Sequence, residues 1–168
     1  MTKGWSLALG VILVFSLMRC TETVAPEYEA QPMTLEQLRS TPGYSWFDLE
    51  MSLYEPDTQL VAAIAQAYQP GEHHFTFFVK PECQCKGTTK LFPRIVRILL
   101  DAAVPDTAMT IYSMRTPQDK HPDPDRFQIQ KLPTIFCTRQ GTVVGQISEL
   151  PGDGEKLEAI ILQWLTTE

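Results

Sequence analysis

The sequence predicts an α/β domain built on a mixed four-stranded central sheet with helices on both faces. Three observations lead there. The run His74-Phe75-Thr76-Phe77-Phe78-Val79 is continuous, apolar and rich in β-formers, the pattern of a buried central strand. Directly after it, Leu91, Phe92, Ile95, Val96, Ile98, Leu99 and Leu100 recur at helical spacing and lead to a second strand-like run, Ala108 to Met114. Finally, Gln140-Gly141 separates two further strand-like runs, Leu132 to Cys137 and Thr142 to Ser148, as a hairpin turn does.

A helix between two strands of one sheet makes them parallel, whereas a tight hairpin makes its strands antiparallel, so the sheet is mixed. The crossover helix is expected from about Thr88 to Ala103, with Lys90, Arg94 and Arg97 as its wet stripe and Pro93 as an internal kink. Ahead of the first strand, Asp57 is placed to cap a helix that runs to Tyr68 and stops at Pro70-Gly71. Earlier still, Thr34 with Gln37 forms the pattern of a capping box. The aromatic segment from Tyr44 to Asp57 reads as a lid or packing element. A last helix is expected from a cap at Asp153, with Leu157, Ile160, Ile161, Trp164 and Leu165 inward. Thr116 to Asp125, rich in Pro and Asp, reads as a loop.

Before the domain, residues 1–20 read as a leader: Lys3 precedes an uncharged apolar run, Trp5 to Met18, closed by Arg19. A spanning helix needs roughly 20 apolar residues, and this run is shorter. Cys20 stands where the lipidated cysteine of a bacterial lipoprotein stands, although Arg19 replaces the small residue that precedes it there. A plain secretory signal, an uncleaved anchor and a lipidated Cys20 are all consistent with the run. Each places the domain outside the cytoplasm, in the periplasm or cell envelope, where disulfides persist. Residues 21–43 read as a tether with a short helix, and residues 44–168 as the domain.

Of the 168 residues, 43% are apolar and 20% charged, the balance of an ordinary globular protein. All 20 acidic residues follow position 20; setting aside Lys3 and Arg19 leaves 12 basic side chains against them, a net −8. Such a surface repels phosphate backbones, so nucleic acid is excluded as a partner. There is no phosphate-cradling glycine loop and no serine elbow.

The chemistry concentrates in the loop Pro81-Glu82-Cys83-Gln84-Cys85-Lys86-Gly87-Thr88. A cysteine at a helix start faces unpaired backbone N–H groups and the positive end of the helix dipole, both of which stabilise a thiolate. Lys86 adds positive charge. Cys85 is therefore the candidate nucleophile. Cys83, two residues before it, is the candidate partner, although a disulfide closed over one intervening residue is strained. The alternative is that the pair only pins the loop. Cys137, on a predicted strand, reads as a buried small hydrophobe. His73 and His74 begin the strand whose far end leads to the cysteines, so one metal site cannot use both ends. Copper delivery through Cys83, Cys85 and His121 is the remaining metal reading, because soft thiolates favour Cu(I). Otherwise His121 and the acids Asp119, Asp123 and Asp125 read as solvated loop residues.

These residues also carry a family resemblance. Cys85 precedes Pro93 by eight positions, as the first redox cysteine of thioredoxins precedes the proline that kinks their active-site helix. Lys131-Leu132-Pro133-Thr134 resembles the loop whose proline is cis and lies against the reactive sulfur. Trp46-Phe47, Tyr54-Glu55-Pro56-Asp57 and Gly145-Gln146-Ile147-Ser148-Glu149-Leu150-Pro151 are similar to segments of a bacterial branch of thioredoxin-like proteins. The resemblance covers Tyr44 to the C-terminus and implies a thioredoxin-like fold. It further implies thiol–disulfide exchange with protein or peptide thiols and disulfides, no cofactor, and a substrate groove shaped by Leu132, Pro133 and Thr88. Departures accompany it: Thr88 stands in place of the resolving cysteine, Gln84 in place of a tryptophan, and Val79 in place of a buried aspartate. A non-catalytic peptide-binding module on the same fold is the alternative.

Overall fold

The computed structural model describes residues 28–81 and 86–167, and for 86–88 the backbone only. The predicted leader with Cys20 and the first part of the predicted tether lie outside the described residues. Along the chain come β1 (Gln31–Met33), α1 (Leu35–Ser40), α2 (Phe47–Ser52), α3 (Thr58–Ala67), β2 (His73–Val79), α4 (Lys86–Asp101), β3 (Met109–Ser113), β4 (Thr134–Arg139), β5 (Thr142–Ile147) and α5 (Leu157–Thr166).

The architecture is a mixed α/β fold whose sheet has five strands, not the expected four, in the order β1-β3-β2-β4-β5. The extra strand is β1, which arises inside the segment read as a tether. It pairs antiparallel with β3, from Gln31 opposite Ser113 to Met33 opposite Ile111. Three residues including Pro32, exposed along most of their length, offer no alternation for sequence reading to detect. The two expected pairings, β2 with β3 and β4 with β5, are present, and β4 lies beside β2. β2 and β3 are parallel, joined over α4, β2 and β4 are antiparallel, and β4 turns into β5 through Gln140 and Gly141. Both turn residues have positive φ, +50° and +83°, as a two-residue type I′ hairpin requires.

Local chemistry sets the helix ends. Gln37 N–H donates to Thr34 Oγ1 at 3.1 Å and Thr34 N–H to Gln37 Oε1 at 2.9 Å, a complete capping box. Asp57 Oδ1 accepts from Gln59 N–H and Leu60 N–H at the start of α3, an arrangement worth about 1 kcal/mol. Asp153 does not cap the last helix. α5 begins at Leu157 after Lys156, without a side-chain cap.

Helices cover one face of the sheet only, among the described residues, which corrects the expectation of helices on both. Residues from α1 through α5 pack with Phe75, Phe77, Val79, Ile111, Ile135 and Cys137 in one cluster. Within it Phe92 of α4 lies 5.0 Å from Phe47 and 5.4 Å from Phe77, ring centre to ring centre. The aromatic segment is thus a packing element that seats α2 on α4. Phe78 and Phe136 face the other way and pack with Phe127, Met114 and Ala30, flanked by Ile129 and Leu132. The β3–β4 connection therefore closes the second face with inserted side chains. Strand alternation explains the division, since successive residues of β2 and β4 point to opposite faces.

Candidate functional site

The C-terminal ends of β2 and β3 and the start of β4 meet at one end of the sheet. Val79 pairs with Ser113, and Phe78 with Thr134. Pro133, one residue before Thr134, stands at this end and is buried. The Leu132–Pro133 peptide bond is cis, as the resemblance implied. Leu132 is half-buried against the loop-covered face. Thr134 Oγ1 donates to Lys131 O at 2.6 Å and closes the turn, while Lys131 pairs with Glu149 beyond β5.

From β2 the chain passes through Lys80 to Pro81 and is described again from Lys86, the first residue of α4. Cys83, Cys85 and the side chain of Thr88 lie outside the described residues. Of the predicted site, then, Pro133 and Leu132 are placed at the end of the sheet from which the cysteine loop departs.

Sequence reading missed several groups at this end. Tyr44 donates its hydroxyl to Ser113 Oγ at 2.7 Å. Burial pushes the Tyr44 hydroxyl up to about 12, with the Ser113 bond acting the other way. A cavity of about 620 Å³ beside Pro81 is lined by Tyr28, Ser113, Arg115 and Asp119 among others. The Arg115 guanidinium lies 3.9 Å from the centre of the Tyr28 ring, a cation–π contact. No short motif marks these residues, because the sheet, not the local sequence, brings them together.

Two loop residues are not solvated as expected. Asp119 is only 6% exposed and accepts from Arg115 N–H and Thr116 Oγ1, each at 2.7 Å. Burial raises its carboxyl, but the Thr116 and Arg115 hydrogen bonds outweigh that and hold it below the usual aspartate value. His121 is half-buried, edge-on to Phe78 at 5.1 Å.

Cys137 is fully buried, and burial pushes its thiol up to about 12. Its neighbourhood is that of a small hydrophobe. His73 and His74 lie at the opposite end of β2, paired with Arg139 and Thr138. Among the described residues no three His, Cys, Asp or Glu side chains are grouped to hold a metal ion. Nor is any described helix long and apolar enough to cross a membrane.

The Tyr54–Asp57 segment serves α5. Tyr54 Oη donates to Glu158 Oε1 at 2.8 Å, and Asp57 N–H donates to the same oxygen at 3.1 Å. Asp57 Oδ2 also accepts from Lys156 Nζ at 2.6 Å.

No family model, curated protein or solved structure matches the chain.

Proposed function

We propose that this protein is a thioredoxin-like thiol–disulfide oxidoreductase acting outside the cytoplasm, with Cys85 as nucleophile and Cys83 as its partner. The carrying observation is topological. The cysteine loop joins the end of a central strand, beside Pro133, to the start of α4, a helix of 16 residues. The parallel β2–α4–β3 unit beside the antiparallel β4–β5 hairpin supports the same reading. α4 is long enough to direct a substantial dipole at its first turn, where a thiolate gains most.

In the exchange, the Cys85 thiolate attacks one sulfur of a substrate disulfide. A mixed disulfide forms and the other substrate sulfur leaves as a thiolate. The Cys83 thiolate then attacks Cys85 Sγ. That closes a Cys83–Cys85 disulfide and releases the substrate as a dithiol, reduced by two electrons. In reverse, the same steps oxidise a dithiol. Pro133 and Leu132 border the groove for the substrate chain, and the apolar leader and acidic mature surface favour action in the cell envelope. Cys20 is the candidate point of lipid attachment.

The experiment compares wild type with Cys83→Ser and Cys85→Ser on non-reducing gels after exposure to a disulfide-bonded protein such as insulin. Cys83→Ser should accumulate mixed disulfides through Cys85, and Cys85→Ser should form none. Equal adduct levels in wild type and Cys83→Ser would count against the catalytic pair. Thr88 in the place of a resolving cysteine favours a second reading, a peptide-binding module, under which neither variant changes peptide affinity.

A further inference from the structure

A second cleft lies at the other end of the sheet, on the face that no described helix covers. It has a volume of about 370 Å³ and runs between the sheet and the β3–β4 connection, within the usual range for small-molecule sites. Its floor is polar and spans three strands. His74 Nε2 and Thr110 Oγ1 are hydrogen-bonded across β2 and β3 at 2.8 Å, and Thr138 Oγ1 donates weakly to His74 O at 3.3 Å. Thr76, next to His74 on the same face of β2, is only 4% exposed and lines the cleft. Among the described residues its hydroxyl has no hydrogen-bond partner. Among the described residues the sealed polar atoms without a partner are Trp46 Nε1 and His73 Nε2, so the Thr76 hydroxyl is open to the cleft and able to bond what enters it.

The charges around the cleft are already paired. Arg126 is matched with Asp123 and Glu72 with Arg139. Burial holds His74 below its ordinary pKa, so its ring is neutral at pH 7. What the floor offers is therefore hydroxyls and a neutral imidazole, groups that both donate and accept. Tyr112 and Phe127 also line the cleft, Tyr112 half-buried and Phe127 packed into the core with the Arg126 guanidinium 5.2 Å from its ring centre. An ion would find no free countercharge here, and a wholly apolar ligand would leave Thr76 unsatisfied.

We propose that this cleft binds a small neutral polyhydroxyl molecule of monosaccharide size, with Thr76 and His74 as its polar floor and Tyr112 as its apolar side. The site is separate from the cysteine end of the sheet, so its occupancy does not depend on redox activity.

The test uses the full chain, labelled with ¹⁵N and titrated with D-glucose, D-galactose, glycerol, glucose 6-phosphate and glycine. At least one neutral sugar should give saturable amide shifts confined to residues 71–76, 110–112, 122–127 and 138–141, with a dissociation constant on the order of 1 mM. Thr76→Val keeps the side-chain shape and removes the hydroxyl; it should weaken binding about tenfold, and Thr76→Ser should retain it. Thr110→Val provides the same reading at a second floor position should the first variant fail to fold. Absence of saturable shifts with every neutral probe, binding of only the charged probes, or undiminished binding in the folded valine variants would each overturn the proposal.

Discussion

The backbone of Gly145 in β5 lies so close to the indole of Trp164 in α5 that a Cβ there would overlap the ring. Glycine is needed at this position for close approach, since its φ is not in the left-handed region. The contact seats α5 on the helix-covered face, where Trp164 joins the main core. Gly145→Ala should therefore destabilise the fold by about 1–3 kcal/mol through overpacking. The double variant Gly145→Ala/Trp164→Leu should lose less than the sum of the single losses, because the smaller side chain removes the overlap. Urea denaturation of the four proteins measures the coupling; strict additivity would contradict it.

Tyr54 and Glu158 form a comparable tie between the α2–α3 junction and α5. Glu158 is 2% exposed, so its carboxylate depends on the Tyr54 hydroxyl and the Asp57 amide for what water would otherwise supply. Tyr54→Phe removes one donor and leaves the carboxylate in place. The expected loss is about 1–3 kcal/mol, again read from denaturation midpoints. A change within a few tenths of a kcal/mol of zero would mean that water replaces the hydroxyl.

Where local sequence chemistry determines structure, the sequence was readable. Thr34 with Gln37, Asp57 before α3, and Gln140-Gly141 each encode their own hydrogen bonds or backbone angles. β2 declared itself by continuous burial. β1 did not, because Gln31–Met33 becomes a strand only through its partner β3. One-sided helix cover was equally hidden: Phe127, Ile129 and Leu132 carry no helical or strand period, yet together they close the second face. Asp153 is a competent cap residue, but α5 starts four residues later. The cis bond before Pro133 was legible from the resemblance of Lys131 to Thr134. The Tyr44–Ser113 bond, spanning 69 positions, and the Thr76 cleft depend on strand register, which no single segment specifies.

One buried and one half-buried histidine, His73 and His74, predict a fall in stability on mild acidification. Burial, helped by Arg139 and opposed by Glu72, lowers the pKa of His73, and burial lowers that of His74, both from an ordinary 6.5. Above 6.5 both are neutral in folded and unfolded chains, and their contribution is fully present. As pH falls through 6.5 the unfolded chain takes up protons first, so stability is lost until the lower folded values are reached. Asp57 and Asp119 are held below 3.8 and change stability only in a more acidic window. Urea midpoints should thus drop between about pH 7 and pH 5, and His74→Gln should show a shallower drop. A flat profile across that interval would contradict the burial argument.

The cysteines should differ sharply in reactivity. Cys137 is sealed between β2 and β5, opposite Phe75 and Gly145, with its thiol pushed up to about 12. At neutral pH it is neither ionised nor accessible, and alkylation requires unfolding. Cys85, the residue preceding the first residue of α4, is proposed to be a stabilised thiolate. Timed iodoacetamide labelling of the reduced native protein near pH 7, followed by peptide mass mapping, should modify Cys85 at least about tenfold faster than Cys137. Repeating the labelling in urea should equalise the two rates, because unfolding removes both the burial of Cys137 and the helix start beside Cys85. Fast native labelling of Cys137 would contradict its burial. Labelling of Cys85 with the pH dependence of an ordinary thiol, near 8.5, would remove the electrostatic basis for calling it the nucleophile, whatever the reactivity of Cys137.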